Sequence, residues 1–266
     1  SVFAPTPHCT TLHLQANDLA VLPATIFTPM PQLQTLDLSG NMFGPPCTLG
    51  LPTSLLQQHY CIAFSNCTMT GTILDSCADY VGPPTLNLTA TGITELRDAN
   101  VFDFRMPGVV VTAIDLSHNS LQSLPATVFD TVPQLRRLLL GHNPHLASLP
   151  DQLFGALANV TMLDLSGNTN MTAMPNLAVF APLVHLEQLD MSDGGLTGQL
   201  RSPLLPPQLT ALATLTLRGN MVTGFGAGAF AGMTGMRVLD VADNELEGEQ
   251  GLASALQSGL TGVQTL

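Results

Sequence analysis

Leu33-Gln-Thr-Leu-Asp-Leu-Ser-Gly-Asn-Met-Phe43 decides the fold, because its spacing returns along the chain. Val111-Thr-Ala-Ile-Asp-Leu-Ser-His-Asn119, Val160-Thr-Met-Leu-Asp-Leu-Ser-Gly-Asn168 and Met236-Arg-Val-Leu-Asp-Val-Ala-Asp-Asn244 repeat it. Each reads apolar-x-x-apolar-x-apolar-x-x-Asn. Alternation of the central residues predicts a short strand with one face inward. The terminal Asn predicts an amide that satisfies backbone groups at the bend leaving the strand.

With that Asn as phase marker, Asn17, Asn41, Asn119, Asn143, Asn168, Asn220 and Asn244 fall into register. Cys67, Thr91 and Gly194 fill the two long gaps, giving ten markers 24 to 28 residues apart. A second ladder keeps the same phase. Phe27, Phe102, Phe129, Phe154, Phe180 and Phe230 follow their markers by ten to twelve residues, with Leu51, Cys77 and Leu204 in the slots that lack Phe. Such periods indicate a solenoid, in which each turn buries its apolar face against its neighbours. Strands are expected just before all ten markers. Leu38, Leu116, Leu165 and Val241 should be buried, and Asp37, Asp115, Asp164 and Asp240 should point outward.

These motifs resemble the leucine-rich-repeat family in its extracellular form of about 24 residues per turn. Cys67-Thr-Met-Thr-Gly-Thr-Ile73 and Gly194-Gly-Leu-Thr-Gly-Gln-Leu200 are similar to the x-x-Gly-x-Leu/Ile variant of plant and protist repeats. The resemblance implies an α/β, strand-plus-irregular solenoid, a horseshoe with a parallel concave sheet. Loops, 3-10 turns or short helices would form the convex side. Residues 1–266 read as one solenoid of about ten repeats, expected to be a piece of a longer array lacking both caps.

Composition narrows the function classes. Charged residues are 10% of the 266, all seven basic residues are Arg, and the net charge is −12. That balance disfavours nucleic acid, whose phosphates need a basic footprint. No segment is long and apolar enough for a membrane span, so a membrane would be reached only through segments outside this chain. Asn66, Asn87, Asn159 and Asn170 each open an Asn-x-Thr sequon, which points to glycosylation in a secreted or cell-surface setting. Among five cysteines, repeat phase pairs Cys47 with Cys77 on adjacent convex turns. Cys9 sits in a Leu slot and is expected reduced, while the connectivity of Cys61 and Cys67 stays open.

No catalytic constellation is present, so no enzyme and no cofactor is expected. His118 and His142 precede markers on consecutive turns and should be neighbours, as two solvated histidines in preference to a metal pair. Gly224-x-Gly226-x-Gly228 superficially resembles a phosphate loop but lacks the following helix. The outward strand positions carry the candidate binding residues: Asp115, Arg136, Arg137, Asp164, Glu187, Asp190, Arg218, Arg237 and Asp240. Their signs are expected to alternate over the surface. The leading reading is a receptor-like or adhesive module binding a protein or glycan on its concave face. The alternative is a structural repeat protein of a matrix, wall or filament, in which the chain self-associates.

Overall fold

The computed structural model describes residues 11–14, 17, 35–37, 72–74, 84–90, 92–96, 101–104 and 110–247. Nine of the ten expected strands lie among them: β1 (Thr11–His13), β2 (Thr35–Asp37), β4 (Thr85–Asn87), β6 (Ala113–Asp115), β7 (Arg137–Leu139), β8 (Met162–Asp164), β9 (Gln188–Asp190), β11 (Thr214–Thr216) and β13 (Val238–Asp240). The strand expected before Cys67 falls outside the described residues, as do Leu38 and all five cysteines, including the proposed Cys47–Cys77 bridge.

Seven of these strands form one parallel sheet in the spatial order β13-β11-β9-β8-β7-β6-β4, and β1 pairs with β2. Register is uniform: Asp115 faces Leu139, Leu139 faces Asp164, and Asp164 faces Asp190. Identical repeat positions therefore stack into columns. The central column, Leu86, Ile114, Leu138, Leu163, Leu189, Leu215 and Leu239, is buried. Leu116 and Leu165 are buried as expected. Val241 is only partly buried against the core, since it lies just beyond β13, the outermost strand of the described sheet.

Four further strands were not anticipated. β3 (Thr72–Leu74) pairs with β5 (Ile93–Leu96), and β10 (Thr197–Leu200) pairs with β12 (Met221–Phe225), forming two small parallel sheets after the bend. β3 and β10 grow from the two segments of x-x-Gly-x-Leu/Ile form. Gly198, the glycine of that form in β10, has the left-handed φ of 69° that glycine adopts without penalty, and at Gly195 before it a Cβ would lie 2.1 Å from the Thr169 carbonyl oxygen of the preceding turn. Neither side of that contact can yield without moving backbone. Gly195→Ala should therefore destabilise the fold by about 3 kcal/mol, as overpacking of a close contact does. Urea unfolding at equilibrium reads this, and an unchanged midpoint would show that the turns are not so closely stacked.

The phenylalanine ladder is the convex half of the core. Phe102, Phe129, Phe154, Phe180 and Phe230 are fully buried, and Leu204 is buried in the slot where Phe is missing. Phe102 and Phe129 stack with centroids 5.6 Å apart. The convex chain is irregular and closes in tight turns, such as Val128 N–H to the Pro125 carbonyl and Leu153 N–H to the Pro150 carbonyl. Among the described residues one short helix, α1 (Leu177–Phe180), is capped by the Asn176 side chain, which accepts from Ala178 N–H. Arg201 ties successive turns together by donating to the Met174 and Pro175 carbonyls, and burial lowers the pKa of its guanidinium.

Candidate functional site

The marker asparagines hold the bend that carries the candidate face. The Asn143 amide nitrogen donates to Leu140 O of its own turn at 3.0 Å and to Leu116 O of the preceding turn at 3.1 Å. Its oxygen accepts from Leu121 N–H at 3.1 Å. Asn119, Asn220 and Asn244 repeat the same three contacts. Asn168 keeps both donations, but its oxygen accepts from Asn143 N–H. Each side chain thus welds two turns, Asn119, Asn143, Asn168 and Asn220 in places that water does not reach and Asn244 in a part-buried one.

The residue before each of the seven markers from Thr91 to Asn244 adopts a left-handed backbone, which turns the chain away from the strand. This column is Ala90, His118, His142, Gly167, Asp193, Gly219 and Asp243, with φ between 48° and 66°. Asp and His tolerate that region better than most residues, and Gly tolerates it without penalty. His118 and His142 are exposed neighbours, stacked at 4.3 Å with ring planes 8° apart. Parallel rings send their nitrogen lone pairs along parallel lines, not to one point, so the pair is a stack and not a chelate. Its reach explains Gly167, where a Cβ would lie 2.3 Å from His142 Nδ1.

The aspartates of the strand stripe point outward but are half-buried, since each also closes its own turn. Asp115 Oδ1 accepts from Ser117 N–H and from the Ser117 hydroxyl, at 2.9 and 2.6 Å. Asp164, Asp190 and Asp240 accept from Ser166, Ser192 and Ala242 N–H at 2.8 to 3.0 Å. The Asp-Leu-Ser wording is in the first place a turn device, with one carboxylate oxygen occupied. The side chain of Asp37 lies outside the described residues.

Arg136, Arg137, Glu187, Arg237, Asp193 and Asp243 are exposed. Arg218 pairs with Asp243 at 2.5 Å and Asp240 at 3.8 Å. Arg136, Arg137 and Arg237 form no ion pair among the described residues. The expected alternation of sign is not what the register produces. Arg137 aligns with Ala113 and Met162, whereas Asp115 and Asp164 align with Leu139. Arg137 and the strand aspartates occupy different columns, because stacking compares equal repeat positions and not neighbours in the chain.

Of the sequon residues, Asn87, Asn159 and Asn170 are exposed, and Asn66 falls outside the described residues. Asn87 ends β4 on the concave sheet, where its oxygen accepts from Thr89 N–H. Asn159 donates to Pro133 O at 3.0 Å in the loop leading to β8. Gly224 lies within β12, and Gly226 lies close against Ser202 of the preceding turn, so this glycine run serves stacking. No group of three or more His, Cys, Asp or Glu gathers at metal-binding distance among the described residues.

Comparison with known proteins agrees with this geometry. Leucine-rich-repeat models match residues 110–169 and 133–196, and a further one matches 32–56. Osteomodulin of Rattus norvegicus is 30% identical over 135 residues, half of this chain and 30% of that protein. Transforming growth factor beta activator LRRC32 of Mus musculus is 26% identical over 261 residues, 95% of this chain and 31% of that protein. The chain thus matches less than a third of the length of these curated relatives. Among solved structures, the glycosylated Toll–Spatzle complex of Drosophila superposes with a TM-score of 0.53 at 20% identity, covering 98% of this chain and 41% of the other. Human 5T4 superposes with a TM-score of 0.50 at 21% identity, covering 91% of this chain and 80% of the other. Uniform parallel register, a buried asparagine ladder and the matched repeat models together give this chain the fold of a leucine-rich-repeat solenoid.

Proposed function

We propose that the chain works outside the cell as a binding module, and that its concave sheet from β6 to β13 receives a protein or glycan partner. The observation that carries this reading is the set of exposed arginines without ion pairs on an otherwise stacked and satisfied sheet. Arg136, Arg137 and Arg237 serve no packing that would explain them. Relatives with extracellular repeats support the compartment, as do the sequons. Glycosylation at Asn66, Asn87, Asn159 and Asn170 belongs to the same reading. A glycan on Asn87 would cover the sheet near β4 and leave the later strands open.

The Arg136→Ala, Arg218→Ala double variant tests the face. Binding of the fluorescent chain to cells of its source should weaken about tenfold at low salt, and less at high salt, because exposed charges are screened. The fold should survive, since both side chains lie off the stacked core. Unchanged binding, together with loss of self-assembly on changing a convex residue, would replace this reading with a structural filament. Mass spectrometry of native material should find carbohydrate on Asn87, Asn159 and Asn170. Bare asparagines at all three would remove the secreted setting.

A further inference from the structure

Register sorts the charges of the concave sheet into two opposed lips. At the strand entrances stand Arg136, Arg137 and Arg237 against one acid, Glu187, all four exposed. At the strand exits stand Asp115, Asp164, Asp190 and Asp240, with Asp193 and Asp243 in the next column outward. The cation on this second lip is Arg218, already held by Asp243 and Asp240. His118 and His142 share the exit column with Asp193 and Asp243. The lips are about three extended residues apart, on the order of 10 Å. Arginines and aspartates nevertheless remain unpaired across that gap, and the second oxygens of Asp115, Asp164 and Asp190 have no partner among the described residues.

We propose that this face is a polarised cradle for one elongated protein segment, acidic along one flank and basic along the other, lying across the strands. The proposal rests on the concave reading and specifies its partner. Six strands from β6 to β13, at about 4.8 Å each, span roughly 24 Å. That is the length of a helix of about sixteen residues, whose diameter of about 10–12 Å matches the separation of the lips. A uniformly acidic ligand would satisfy the arginines and meet six aspartates. A uniformly basic one would meet the arginines. Only a segment with both signs on opposite flanks gains at both lips.

Two synthetic helical peptides of about sixteen residues and identical composition serve as probes. One carries glutamates along one flank and lysines along the other, and its control has them interleaved on both flanks. Fluorescence anisotropy at low salt should show the segregated peptide binding at least about tenfold more tightly. The Arg136→Glu, Arg137→Glu double variant should erase that preference while leaving thermal unfolding unchanged, and Gln199→Glu, exposed on β10, should leave the preference intact. Equal binding of the two peptides overturns the proposal, as does a preference that survives the arginine reversal. Self-association abolished by the same reversal would overturn it in favour of a second copy as occupant. The concave reading can still stand if the peptides fail, because a glycan wedge on the sheet tests it separately.

Discussion

Replacing Asn143 with alanine should destabilise the solenoid by about 3 kcal/mol, because one buried backbone N–H is left without an acceptor and two buried carbonyls each lose one of two donors. Leu121 N–H loses its acceptor, while Leu116 O and Leu140 O each lose one of two donors and keep Asn119 and Asn168. Asn143 is fully buried, so water cannot replace the amide. The effect should be local as well as large. Hydrogen exchange at the Leu121 amide should quicken by orders of magnitude, whereas amides around β13 should respond less, since solenoid turns couple through neighbours. Asn244→Ala makes a useful contrast. The same contacts exist there in a part-buried setting, so its cost should be smaller. Equal costs at the two positions would show that burial does not set the value of the ladder.

Phe154→Ala is the second large effect, expected at about 4 kcal/mol from lost transfer energy and the cavity left behind. Phe154 is fully buried and lies 6.5 Å from Phe180, centroid to centroid. Phe154→Leu should cost only about 1 kcal/mol, because a near-conserved volume is tolerated and Leu204 already occupies the equivalent slot. Urea titration of both variants checks the pair. A severe loss for leucine would mean that the ladder requires ring stacking and not simply apolar volume.

Much of this architecture is legible in the sequence because it is written at one period. The apolar alternation, the marker Asn and the Phe slot each recur every 24 to 28 residues, so strands, bends and core follow from phase. The extra strands β3, β5, β10 and β12 were missed because they depend on how closely adjacent turns approach. Gly195, against the Thr169 carbonyl, was the available signal, and its meaning emerges only once the turns are stacked. The aspartates were legible as outward residues, but not as turn-closing acceptors. Their carboxylates accept from the i+2 backbone N–H groups, Ala242 serving as well as Ser166 and Ser192, and only at Ser117 does the hydroxyl add a second bond. The opposed lips were hidden for a different reason. Arg136 and Arg137 lie between Asp130 and Asp151 in the sequence, and only the cross-strand register places them at the entrance edge while the acids collect at the exit.

The concave claim is tested most directly by a glycan placed on the sheet itself. Thr214→Asn, outward on β11, completes a sequon with Leu215 and Thr216 at the centre of the later strands. Gln208→Asn does the same with Leu209 and Thr210 in the exposed loop before that strand, away from the concave face. Both variants are expressed through a secretory host, and occupancy is verified by mass. Binding of each fluorescent glycoform to cells of the source organism is then compared with the parent chain. The account predicts that the Thr214→Asn glycoform loses binding and the Gln208→Asn glycoform keeps it. Undiminished binding by the Thr214→Asn glycoform would contradict it.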